Sequence, residues 1–314
     1  MEYRKIGATA LEVSVLGFGL GTISTEGWGK IDEAESLTLL REARDLGITF
    51  FDTAEFFGQG YGEEILSKAL SGHRHEVIIG TKVIYDSYHT GSIKESGSGT
   101  SGEYLLSAAI KQACERSLRR LQTDYIDLYQ IATPLSYLNT EERQDLFEIL
   151  DTLTKEGKIR YIGVASDPLD LEYWQVSYND AQSIQTPYNI LEQNVLTQVL
   201  LNQEMPLVGT IISIDSHKQD LLFGKSDQYS ALGYSNVEAL TLTPGTVLKL
   251  EKLTEVSKRW ELAIETLASM FCLDNAQICT IMPDITGTYK LRKLINSTTK
   301  ITMPEELREE LYNL

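Results

Sequence analysis

Short apolar segments, too brief to be helices, alternate along this chain with longer segments of helical period, and that alternation limits the fold more than any other feature. Residues 13–19 read as a strand, and a helical pattern over 32–46 closes on Gly47, a natural residue just past a helix end. Residues 48–54 form a second strand, 62–70 a helix, and 76–82 (EVIIGTK) a third strand. A long helix is predicted over 101–120, with Ser101 as its N-cap. Further strands fall at 125–131, 159–164, 181–185, 207–214 and 279–282, with helical material between them and a last helix over 304–312. Strands and helices in this rhythm favour a parallel sheet. Periodicity alone does not separate a closed barrel from an open, doubly wound sheet.

The length of 314 residues suits either two ordinary domains or one α/β barrel, and 42% hydrophobic residues are enough to fill a core. Asp and Glu number 45 against 28 Lys and Arg, a formal charge of −17. That balance argues against nucleic acid or an anionic membrane surface as partner, because both need a basic patch. The opening MEYRKIGA has no apolar core of a signal peptide, and no run approaches the ~18 apolar residues of a membrane span. A cytoplasmic location is therefore expected. Cys114, Cys272 and Cys279 have neither zinc-type spacing nor a C-x-x-C motif, so buried free thiols and no metal are expected.

Several stretches carry a resemblance. They are MEYRKIGATALEVS at 1–14, VLGFG at 15–19, FDTAEFFGQG at 51–60, IGTK at 79–82, SLRRLQTDYIDL at 117–128, GKIRYIGV at 157–164 and QTPYN at 185–189. In order and spacing they resemble the aldo-keto reductase superfamily, strongly up to about Asn189 and weakly beyond. The resemblance implies one domain over 1–314: a (β/α)8 TIM barrel with an N-terminal β-hairpin and a C-terminal helix. It also implies an active site at the barrel mouth that binds a small metabolite and NADPH. Some members of the superfamily act as auxiliary subunits, so a protein partner is also open.

In a working member of that family a tyrosine protonates the substrate carbonyl as hydride arrives, a Lys–Asp pair tunes the tyrosine, and a histidine orients the substrate. Asp52 and Lys82 match the pair, whereas Phe57 stands where the tyrosine belongs and Ala132 where the histidine belongs. Neither replacement moves a proton, and losing general-acid help typically lowers a rate by ~10²–10⁴. Asp52 and Lys82 are equally accounted for as a retained buried pair, since removing one partner costs about 3–5 kcal/mol.

The resemblance assigns Gln185, Ser166, Tyr188, Lys290 and Arg292 to the cofactor. Here Ala165-Ser166 replaces the family's Ser-Asn at the nicotinamide carboxamide, and Asp215 falls near the pyrophosphate, where like charges repel. The family's 2′-phosphate segment corresponds to Met282-Pro-Asp284-Ile-Thr286-Gly287, which has no base. Lys290 and Arg292 follow one turn on, either to bind phosphate or, with Lys293, as a solvated helix face. Candidates for a relocated acid are Glu55, Tyr61, Tyr85, Tyr88 and His89, and the Ser/Gly-rich stretch 86–102 is a lid or a plain loop. The expectation is a metabolite-binding barrel that does not perform standard carbonyl reduction and whose chemistry is non-standard, with or without redox. The alternatives are an NADP-dependent oxidoreductase with a relocated donor and a catalytically silent binding or regulatory subunit.

Overall fold

A computed structural model describes residues 1–24, 32–84, 106–132, 136, 138–165, 181–191, 193, 211–214, 244–298 and 302–314. Strands β1 (Tyr3–Lys5) and β2 (Glu12–Ser14) form an antiparallel hairpin. Eight parallel strands follow: β3 (Phe18–Gly19), β4 (Phe50–Asp52), β5 (Ile78–Val83), β6 (Ile126–Ile131), β7 (Ile159–Ala165), β8 (Ser183–Pro187), β9 (Ile211–Ile214) and β10 (Ile278–Met282). Each pairs with its neighbours in chain order. A parallel bridge from Leu16 to Ile281 joins first to last, with Gly17 N–H donating to the Ile281 carbonyl at 2.9 Å. The sheet thus closes into the (β/α)8 barrel, which resolves the choice that periodicity left open.

The described helices are α1 (Gly21–Ser24), α2 (Glu33–Asp45), α3 (Tyr61–Ala69), α4 (Leu106–Leu121), α5 (Thr140–Lys155), α6 (Pro244–Trp260), α7 (Ile264–Asp274), α8 (Thr288–Thr298) and α9 (Glu305–Tyr312). Their ends follow local chemistry. Asp32 caps α2 through the Ala34 N–H at 2.6 Å, and Gly47 beyond its end takes φ +95°, open to glycine at little cost. Asn139 and Glu142 form a reciprocal capping box on α5. Ser101, predicted as the cap of α4, lies outside the described residues.

Strands β6 (IDLYQI) and β10 (ICTIM) are buried at every position, as parallel strands covered on both faces must be. The larger core fills the space between barrel and helices. A smaller cluster of Ile6, Leu11, Val13, Phe50, Leu128, Ile212, Cys279 and Met282 plugs the barrel interior with side chains of the hairpin. The strand read over 13–19 is in fact two elements. Val13 and Ser14 pair within the hairpin, Val15 to Gly17 meet Ile281 of β10 where the barrel closes, and Phe18 and Gly19 form β3 against β4. A continuous apolar run carries no mark of where it changes partner. The strand read over 181–185 is shifted to Ser183–Pro187, where Pro187 ends it in register with Ile214.

Candidate active site

The inward side chains near the C-terminal ends of β4, β5, β6 and β8 meet in one polar cluster. Lys82 donates through Nζ to Asp52 Oδ2 and, at 3.0 Å, to the Thr53 carbonyl. Gln130 Nε2 donates to Asp52 Oδ1 at 2.9 Å, and Gln185 Nε2 to Asp52 Oδ2 at 3.1 Å. The carboxylate therefore faces one cation and two amides, all buried: Asp52 is 2% exposed and Lys82 6%. Burial lowers the Lys82 pKa below the ordinary lysine value, and the Asp52 charge and hydrogen bond work against that shift.

Backbone geometry places these groups without strain. Lys82 is in register with Gln130, Gln130 with Gly163, and Ala165 with Gln185. Gly163 is required by close approach: a Cβ there would overlap Ser183 Oγ and lie 3.0 Å from Gln130 Cγ. Gly80 likewise leaves room for Asp52 Oδ1, 3.1 Å from where its Cβ would be. The amide oxygens of Gln130 and Gln185 are buried with no hydrogen-bond partner among the described residues.

Phe57 opens a short 3₁₀ turn (Phe57–Gly60) between β4 and α3. Its ring centroid lies 5.5 Å from Lys82 Nζ, it rests against Gly21, and Phe56 meets it edge-on at 5.1 Å. The ring stands beside the ammonium group and carries no hydroxyl. Ala132 follows β6, with its N–H donating to the Val83 carbonyl at 2.9 Å. Among the described residues, the hydrogen bonds of Lys82 go to Asp52 and Thr53 alone, and no tyrosine hydroxyl or imidazole joins them. Exposed Phe56 and Ile84, 44% and 50% accessible, add apolar surface at this end of the barrel.

The candidates for a relocated acid are placed elsewhere or not described. Glu55 accepts from Arg116 at 2.6 Å and Arg120 at 3.4 Å, so its carboxylate is turned toward α4. Tyr61 packs against the helix-side core. Burial raises its pKa, and Glu33 of α2 adds to that rise. Tyr85, Tyr88 and His89 lie outside the described residues, as does the stretch 86–102.

Of the residues assigned to a dinucleotide, Gln185 joins the Asp52 cluster, and its unpartnered amide oxygen could accept from a carboxamide N–H. Ala165 offers no side-chain group there. Tyr188 is 3% exposed and stacked on Phe271 of α7 at 5.4 Å, in the layer between barrel and helices. Arg292 is paired with Glu42 at 2.6 Å, Lys293 is paired with Glu265, and Lys290 is engaged as well, with the Arg292 and Lys293 side chains still 68% and 43% exposed. Ser166 and Asp215 lie outside the described residues. Among the described residues, the set fits NADPH at one point and not as a whole.

Gln130 was missed by the sequence reading. Its signal was present: a polar residue at an inward position of an otherwise buried strand, two residues before Ala132. No group of His, Cys, Asp and Glu able to hold a metal occurs among the described residues.

The model of the Aldo/keto reductase family matches residues 15–310. Aldo-keto reductase YhdN of Bacillus subtilis strain 168 is 35% identical over 236 residues, covering 74% of this chain and 67% of that protein. A probable voltage-gated potassium channel subunit beta of Oryza sativa subsp. japonica is 24% identical over 331 residues, covering 100% of this chain and 95% of that protein. The solved holo form of aldo-keto reductase AKR11C1 from Bacillus halodurans superposes with a TM-score of 0.75 at 28% identity, covering 100% of this chain and 96% of that one.

Proposed function

The chain belongs to the aldo/keto reductase family, and we propose that within it this protein binds a small metabolite at the barrel mouth without performing standard NADPH-linked carbonyl reduction. One observation carries the reading: the ring beside Lys82 Nζ is Phe57, 5.5 Å away, with no hydroxyl to pass a proton. Reduction needs a donor within hydrogen-bond reach of the developing oxyanion. Ala132 removes the other polar group the family would place there. The scattered cofactor residues support the same conclusion, since only Gln185 among those described is set to meet a nicotinamide.

The group left with useful chemistry is Lys82. Its proton affinity is lowered by burial, and a neutral amine in a desolvated site serves as a base or condenses with a carbonyl. Condensation forms a C=N bond and releases the carbonyl oxygen as water, so no redox cofactor is consumed. Asp52 steadies the ammonium form, and Gln130 and Gln185 hold Asp52 in place. The full-length match to a probable channel subunit beta favours a second reading, a binding subunit without turnover.

Titration with NADPH and NADH, followed by fluorescence, tests the proposal. Weak or no binding is expected. The F57Y/A132H variant should still fail to oxidise NADPH with a panel of carbonyls, because the cofactor contacts differ too. Micromolar NADPH binding refutes the reading, whereas activity gained by that variant would refute the account of the cofactor contacts alone. Metabolite binding with no lysine-dependent turnover would favour the subunit.

A further inference from the structure

On the outer side of β4 and β5, directly behind the site, two acids and two bases form a closed cluster that proton chemistry at Lys82 does not use. Glu63 of α3 is fully buried. Its Oε1 accepts from Thr81 Oγ1 at 2.7 Å and its Oε2 from Arg120 Nη1 at 3.1 Å. Arg120 Nη1 also reaches Glu55 Oε1 at 3.4 Å, and Arg116, one turn back on α4, holds the same oxygen through Nε at 2.6 Å. The four formal charges cancel, so the cluster fixes position without adding net charge to the neighbouring site.

Its members are tied to both sides of the site. Thr81 precedes Lys82 on β5, and Glu55 N–H donates to the Lys82 carbonyl at 3.1 Å. Glu55 and Gly60 flank Phe57, two residues before it and three after. Gly60 takes φ +96°, and a Cβ there would overlap the Arg120 side chain, so the guanidinium lies against its backbone. Arg120 therefore touches both ends of the turn that carries Phe57, and through Glu63 it reaches the strand that carries Lys82. A planar guanidinium suits this task because its donors are fixed in one fork, whereas a lysine offers a single mobile charge.

We propose that Arg120 is a positioning residue for the barrel mouth: it sets the separation of the Phe57 ring from Lys82 without touching a bound molecule. This rests on Phe57 standing over Lys82, as in the function proposed above, but not on which chemistry Lys82 performs. Loosening Arg120 lets the turn drift from the strand, so the ring leaves the ammonium and the mouth widens.

The F57Y variant supplies a reporter, since it puts a phenol beside Lys82 whose ionisation a nearby cation favours. Its titration can be followed by NMR with ¹³Cζ-labelled tyrosine, assigned by difference from the parent. The phenol should titrate below the ordinary tyrosine value. Adding R120K or E55Q should move the midpoint upward by at least half a pH unit, and R120M by about one, a tenfold change in proton affinity. If R120M does not fold, the two milder variants carry the test. Midpoints unchanged in R120K and E55Q, even with a lower melting temperature, would show that Arg120 only stabilises the fold. A phenol in F57Y that titrates normally while ¹⁵N NMR shows Lys82 Nζ still charged at that pH would overturn the ring's placement, and the proposal with it. NADPH binding has no bearing on either result.

Discussion

Replacing Asp52 with Asn keeps the shape of the side chain and removes the charge that faces Lys82. Both residues are nearly inaccessible, at 2% and 6%, and the lysine would keep only neutral acceptors, the Thr53 carbonyl at 3.0 Å and the new amide oxygen. A buried charge left unpaired in this way costs about 3–5 kcal/mol. There is also a ceiling. At pH 7 an amine with an ordinary pKa near 10.5 gives up its proton for about 5 kcal/mol, so Lys82 would rather become neutral than bear a larger penalty.

The pH dependence follows from the sign of the shift. Burial holds the folded Lys82 pKa below 10.5, so between those two values the unfolded chain binds more protons and stability rises with pH. D52N removes the attraction that opposes burial and extends that window downward. Its deficit relative to the parent should therefore shrink as pH climbs from 7 to 10, by at most ~1.4 kcal/mol per pH unit. Urea denaturation of both proteins at each pH measures this, with tyrosine ionisation common to both and cancelling in the difference. The urea midpoint at pH 7 should fall by about 1–2 M, at the m-values usual for domains. A deficit under ~1 kcal/mol, or one independent of pH, would refute the description of Lys82 as a desolvated cation held by Asp52.

Three further outcomes are expected. G163A should lose about 1–3 kcal/mol in chemical denaturation as the new methyl meets Ser183 and Gln130, and S183A in the same chain should restore most of it. Absence of rescue would contradict the close packing at β7 and β8. Cys114, Cys272 and Cys279 are buried, which pushes each thiol up to about 12, so the folded protein should resist thiol reagents at pH 8 and react once denatured. Rapid labelling of any of the three in the native state would contradict that burial. Y188A should destabilise by ~3–5 kcal/mol through loss of its stack on Phe271, while Y188F should cost under about 1.5 kcal/mol. If Y188A instead kept its denaturation midpoint, the tyrosine would not be a packing residue.

Much of the barrel was legible because parallel strands buried on both faces leave continuous apolar runs, such as β6 and β10, and helix ends carry caps such as Asp32 and Gly47. The division of 13–19 between hairpin and barrel was not, since an apolar run says nothing about which strand it pairs with. At the site, Asp52, Lys82 and Phe57 came from a motif, and the structure brings all three together. Gln130 lay outside the motif and could be found only by asking which side of its strand it faces. Tyr188 and Arg292 stood near the right segments, yet one ring packs on Phe271 and one guanidinium pairs with Glu42 from a helix 250 positions away in sequence. Side-chain direction and long-range ion pairs are properties of the packed chain, and a local pattern does not encode them.

Deuteride transfer tests the central claim most directly. The native chain would be incubated with NADPH dideuterated at C4 and a panel of aldehydes and ketones, and the alcohols examined by mass spectrometry. With Phe57 in place of a proton donor, label should enter product no faster than in protein-free controls. Label appearing at a catalytic rate, and disappearing in K82M, would mean that this barrel reduces carbonyls after all.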